Sequence, residues 1–305
     1  MKNIFKIFVA SLFLLSACKE EIPTGLNLLP ERSIFDTTYI TNVIPTPQPA
    51  NVLIEDFTGV KCANCPRAQL AAKNILTANP KRVFVMGIHP GKGLLNFFVS
   101  PFKIPADDYD SKYDFRTSEG ADLLTFLGGA SQLPIGAINR TKFPTEANIL
   151  IDDPKWSDYT SNLLNNNAIV NIETFGANGV SIIDSTIRVN VKLTYSKASS
   201  DSQHVSIAII ENGLKDYQKS GGITEKDYEH EHVLRRMITP ALGSALKGSI
   251  IPGRVFEKTY DYKINTETDI NWNLKNLKVI VFVHNGTIGN NKLVIQQVNE
   301  YKINE

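Results

Sequence analysis

The chain has 305 residues with 42% hydrophobic and 21% charged side chains and a formal net charge of +1, an ordinary globular composition long enough for two domains. That balance excludes a disordered or fibrous chain, and it offers no basic excess of the kind that binds nucleic acid. Beyond the first stretch, no run is long and apolar enough to span a bilayer.

Met1 to Cys18 combines a charged start (Lys2, Lys6), an apolar core from Ile7 to Leu15 and the box Leu15-Ser16-Ala17-Cys18. This is the pattern of a lipoprotein signal peptide over residues 1–17, with Cys18 as the lipidated first mature residue and an acyl group such as palmitate holding the protein to a membrane. A transmembrane anchor is the competing reading, but the apolar run is shorter than the roughly 20 residues a span needs. Residues 18–49 are polar and carry Pro23, Pro30, Pro45, Pro47 and Pro49, so they are expected to form a lipidated N-terminus and flexible tether. Within it, Lys19-Glu20-Glu21 resembles the lysine-plus-two-acids signal that sends some Bacteroidetes lipoproteins to the cell surface. A solvated charge cluster explains the same residues equally well.

Residues 50–165 read as an α/β unit. Asn51 to Phe57 has the composition of a buried strand, Ala68 to Ala78 that of a helix, and Val83 to Ile88 that of a second buried strand. His89 to Arg116 is long and rich in Gly, Pro and aromatics, as an insertion would be; its Phe97, Phe98, Phe102, Tyr109 and Tyr113 are either packed anchors or a binding surface. Thr117 to Leu127 predicts a helix closed by Gly128-Gly129, Pro134 to Asn139 a strand, and Pro154 to Leu164 a further helix. Residues 166–305 change to β-type runs, with alternation such as Ile187-Val189-Val191-Leu193, and predict an all-β sandwich-like domain.

With Cys18 assigned to lipid, Cys62 and Cys65 remain as a lone C-x-x-C between a strand and a helix. Zinc would need two more ligands, and none stands at a suitable spacing. A redox pair and a structural disulfide both stay open. The helix N-terminus would favour a Cys62 thiolate, and a short closed loop would stabilise little through entropy. His230 and His232 alternate, so on a strand they would share one face as two weak candidates for a metal; a third ligand is not identifiable. No hydrolase, kinase or dinucleotide motif is present, and no cofactor is expected.

The strand, the C-x-x-C and the downstream Leu133-Pro134 together resemble the thioredoxin fold. The resemblance implies a buried proton acceptor at Asp56, a cis-proline at Pro134, an attacking Cys62 and a resolving Cys65. Lys61, Ala63-Asn64 and Pro66 depart from the usual thioredoxin residues. Three blocks, Val52 to Pro66, Leu133 to Arg140 and Tyr228 to Arg235, resemble more closely the outer membrane protein 28 related lipoproteins of Bacteroidetes. That family implies an outer-membrane, lipid-anchored protein with a thioredoxin-like domain and a carboxy-terminal β-domain, with surface adhesion or receptor roles; the partner expected is a thiol or disulfide protein on the redox reading, or a surface ligand. Thiol–disulfide exchange at the envelope is the leading expectation, and surface binding or adhesion around a structural disulfide is the alternative.

Overall fold

The computed structural model describes residues 34–91, 93–104, 109–176, 179–286 and 292–304. Cys18, the signal peptide and Lys19-Glu20-Glu21 lie outside the described residues, as does the side chain of Tyr109. In chain order the elements are β1 (Asp36–Ile40), β2 (Val52–Phe57), α1 (Cys65–Ala78), β3 (Val83–Pro90), α2 (Asn96–Val99), β4 (Lys103–Ile104), β5 (Tyr109–Asp110), β6 (Arg116–Thr117), α3 (Ser118–Phe126), β7 (Ile135–Ile138) and α4 (Trp156–Leu164). There follow β8 (Val170–Thr174), β9 (Val180–Ile183), β10 (Thr186–Tyr195), β11 (Gln203–Glu211), β12 (Leu214–Ser220), β13 (Ile223–His230), β14 (Val233–Met237), β15 (Ser244–Ala245), β16 (Arg254–Lys263), β17 (Leu277–Asn285) and β18 (Ile295–Lys302).

The molecule is mostly β with few helices. One mixed sheet runs β18-β17-β11-β14-β3-β2-β7, and a second runs β1-β16-β10-β8 with β9 on β10. Strands β2 and β3 are parallel, from Val52 opposite Val83 to Phe57 opposite Ile88, as two buried apolar runs joined by a helix should be. Helix α1 buries Cys65, Ala68, Ala72 and Ile75, a 3-4-3 spacing that lays one stripe on Ile54, Val85 and Trp156. Alternation splits β11 and β17 between two cores: Val205, Ile207, Ile209, Val279, Val281 and Val283 face the second sheet, while Ala208, Ile210, Ile280 and Phe282 face the first core.

Residues 34–305 form a single compact unit. Residue 165 marks the end of the helical part, but the large sheet continues across it. The join is β14, parallel to β3 through Val233 opposite Gly87, with the Gly87 amide donating to the His232 carbonyl at 2.8 Å. The motif Tyr228 to Arg235 thus makes the seam, and Arg235 pairs with buried Glu211 at 2.7 Å.

The tether expectation needs correction over residues 34–49. Asp36–Ile40 forms an edge strand on β16, and its side chains are all exposed, so main-chain pairing rather than apolar burial makes it a strand. The proline-rich stretch is then held along residues 166–171: the Gln48 amide donates to Asn171, Asn171 donates to the Thr46 carbonyl, and Ala50 and Asn166 share a main-chain bond. Prolines keep this segment extended and leave its few remaining donors to fixed partners.

Candidate functional site around the disulfide

Cys62 and Cys65 are joined in a disulfide at the start of α1. The turn before it is tight: the Cys62 amide donates to the Gly59 carbonyl and the Cys65 amide to that of Cys62, and Pro66 occupies the first helical turn, where no acceptor is lost. Both cysteines are buried, Cys62 at 3% exposure and Cys65 at 0%. Cys62 is the more exposed of the two, yet it is not open to solvent.

What buries it is a pair of elements far apart in the chain. The β12–β13 hairpin lies along residues 60–63, with the Lys219 amide donating to the Val60 carbonyl (2.7 Å) and the Gly221 amide to the Ala63 carbonyl (2.9 Å). Buried Gln218 donates through Nε2 to the carbonyls of Gly59 and Cys62, both at 3.2 Å. From the other side the insertion approaches: the Lys61 amide donates to the Phe98 carbonyl, and a Cβ at Gly59 would lie 2.5 Å from that oxygen. Only glycine permits the contact. Phe102, Tyr113 and Phe115 pack with Val60, Leu214 and Val233, whereas Phe97 and Phe98 remain exposed. The insertion's aromatics therefore divide between anchors and surface.

Asp56 stands on β2, opposite Gly87 of β3 and Gly136 of β7. Trp156 fills the space over Gly136, where a Cβ would come within 2.4 Å of its ring. Asp56 is 1% exposed and its Oδ1 has no hydrogen-bond partner. Loss of hydration, reinforced by the charge of Asp153, pushes its carboxyl up to about 8. Pro134 directly precedes β7, and the Leu133–Pro134 peptide bond is cis.

The histidine expectation is corrected. His230 ends β13, but His232 sits in a left-handed turn with φ of 57°, so the two do not alternate along a strand. His230 packs its ring on Phe115 (4.8 Å between centroids) near His89 (6.4 Å), while His232 lines a cavity beside α1. No group of three metal-ligand side chains exists among the described residues.

Sequence reasoning missed Glu55 and Arg140. They form a fully buried two-point ion pair, Nε to Oε2 at 2.8 Å and a terminal nitrogen to Oε1 at 2.7 Å, with the Arg140 guanidinium 5.0 Å over Phe282. A charged residue inside the apolar run Val52 to Phe57 was the available signal. Asn139 beside it accepts from the Leu53 amide and donates to the Asn51 carbonyl, tying β2 to the end of β7.

These features define a class: a mixed α/β unit with a covered C-x-x-C disulfide, sharing its sheet with a two-sheet β portion. Residues 126–305, more than half of the chain, match the family Outer membrane protein Omp28, and the chain belongs to that family. It is accordingly a protein of the outer membrane. HBP35 of Porphyromonas gingivalis is similar in fold, with 17% identity, a TM-score of 0.62, and 85% of this chain and 77% of that one covered. AGR_C_4864 of Agrobacterium tumefaciens is similar at 12% identity and a TM-score of 0.50, covering 85% and 97%. A domain of the outer membrane lipoprotein Omp28 from Porphyromonas gingivalis matches at 18% identity and a TM-score of 0.30, covering 45% and 89%. No curated protein matches. Among the described residues no helix is long and apolar enough to cross a membrane.

Proposed function

We propose that this outer-membrane protein is anchored by a lipid on Cys18 and carries a thioredoxin-like thiol–disulfide unit at the cell envelope. Asp56 is the observation that carries the reading. A disulfide that merely closes a helical turn gives no reason to keep an uncompensated acid in the core, where it costs stability. A proton acceptor for a buried thiol does.

In the reduced protein the Cys62 thiolate attacks a partner's disulfide, forming a mixed disulfide and releasing one partner sulfur as thiolate. In the fraction of molecules in which Asp56 is ionised, Cys65 then gives its proton to that carboxylate and attacks Cys62. The second partner thiolate leaves, and Cys62–Cys65 is oxidised. Pro134, at the start of β7, takes the position that faces the disulfide in thioredoxin-like folds. The positive end of the α1 dipole favours the Cys62 thiolate over the thiol.

A second reading rests on the 3% exposure of Cys62 beneath the hairpin: a structural disulfide in a surface-binding protein. Equilibration of the pair in glutathione or dithiothreitol buffers, read by thiol alkylation, separates the two. Exchange in the folded protein with a potential of roughly −270 to −120 mV is expected. A potential below about −300 mV, or reduction only on unfolding, makes the disulfide structural. For the anchor, loss of radiolabelled palmitate from Cys18→Ala is expected, and retained label overturns it.

A further inference from the structure

A cavity of about 480 Å³ opens between α1, β3 and the β13–β14 turn, within the size range of small-molecule sites. Its origin lies in the strand register. On the face of β2 and β3 covered by α1, Asp56 has Gly87 beside it, and Gly87 carries no side chain to fill the space. A Cβ there would meet nothing closer than main-chain atoms of Glu231 and His232 at 3.5 Å. Gly136, on the other flank of Asp56, is covered by Trp156, so the space is one-sided.

The walls are apolar, formed by Pro66, Leu70 and Leu76 of α1 with Val85 and Val233. The floor is not. Asp56 Oδ1 and both ring nitrogens of His89, each residue 1% exposed, lack partners. Burial, with His230 and Arg235 adding repulsion, lowers His89 to about 3, so its ring is neutral and one nitrogen is a free acceptor. Thr58 beside them is engaged by Gln69, which in turn accepts from the Tyr228 hydroxyl. Glu229 and Glu231 line the mouth, Lys73 is the one cation among the described lining residues, and nearby Lys278 is paired with Glu300.

Unpartnered acceptors at the bottom, apolar walls and an acidic mouth are complementary to one chemistry. We infer that this cavity is a binding site for an organic ammonium ion with an apolar body, whose N–H groups meet Asp56 and His89. As the cation binds, the proton that burial keeps on Asp56 is released to solvent, so that the carboxylate forms with its counter-charge in place and the ligand's N–H groups reach acceptors that otherwise have no partner. The site does not require the cysteines to exchange.

The test is calorimetric titration of the intact, disulfide-bonded protein in detergent with 2-phenylethylammonium, against 2-phenylethanol and 3-phenylpropanoate. Saturable binding of the ammonium, with the neutral and anionic analogues about tenfold or more weaker, is expected. Asp56→Asn should abolish that preference, and Gly87→Val, whose side chain fills the space beside Asp56, should abolish binding. Leu70→Trp, at an exposed position on the wall, should weaken binding with the strands untouched. Equal affinity for the alcohol, an ammonium preference that survives Asp56→Asn, or binding unchanged by both Gly87→Val and Leu70→Trp overturns the inference, as does the absence of saturable ammonium binding.

Discussion

At Asp56 the carboxyl is held protonated far above its ordinary value of 3.8, up to about 8, chiefly by burial. The folded chain therefore binds a proton that the unfolded chain releases between about pH 4 and pH 8. Stability attributable to this group is complete below pH 4 and is lost as pH rises through 8. Asp56→Asn should remove that loss, so that urea unfolding shows the variant gaining roughly 1 kcal/mol or more on the parent between pH 5 and pH 8. An unchanged difference between the two pH values would contradict the placement. Glu55 and Arg140 make the opposite case, a charge with its counter-charge. Arg140→Met leaves Glu55 buried and unpaired and should cost about 3–5 kcal/mol, whereas Glu55→Met with Arg140→Met should recover most of it. Denaturant midpoints of the two single variants and the double variant decide this.

Among the elements, the β12–β13 hairpin governs access to the disulfide. Gln218→Ala removes two hydrogen bonds that hold the hairpin over Gly59 and Cys62. Reduction of the folded protein by dithiothreitol should then quicken roughly fivefold, as loss of about 1 kcal/mol populates the open hairpin. A rate equal to that of the parent would mean that the hairpin does not limit access. This hairpin was also the largest element absent from the sequence reading. Strands β2, β3, β10, β11 and β17 announce themselves through apolar runs or alternation, and α1 through its alanines and spacing. Leu214 to His230 is charged and built around Gly221-Gly222, because it pairs with itself and lies on another part of the chain instead of filling a core. Strand β1 was hidden for the same reason: edge pairing leaves no hydrophobic signature. At the site, the cysteines, Asp56 and Pro134 were legible from spacing and resemblance. The cavity was not, since it depends on which residue of β3 stands opposite Asp56, and register is a tertiary fact.

For the whole molecule, proton balance sets a stability optimum. Burial depresses His89 and His284 to about 3 and His230 and His232 to about 4, against 6.5 for free imidazole. Their contribution is present above pH 6.5 and is lost on acidification toward 4, opposite in sign to that of Asp56. Thermal unfolding midpoints should therefore rise from pH 5 to about 6.5 and decline toward pH 8; a monotonic profile would mean that one set dominates throughout. The cover that the β12–β13 hairpin lays over the disulfide has a different consequence, one of timing. Gly59 and Gln218 are 159 positions apart, so a chain threaded into the envelope amino end first presents its two thiols long before their cover exists. An oxidant meets them in that interval, and the arrival of the carboxyl-terminal strands then seals whichever state it has left.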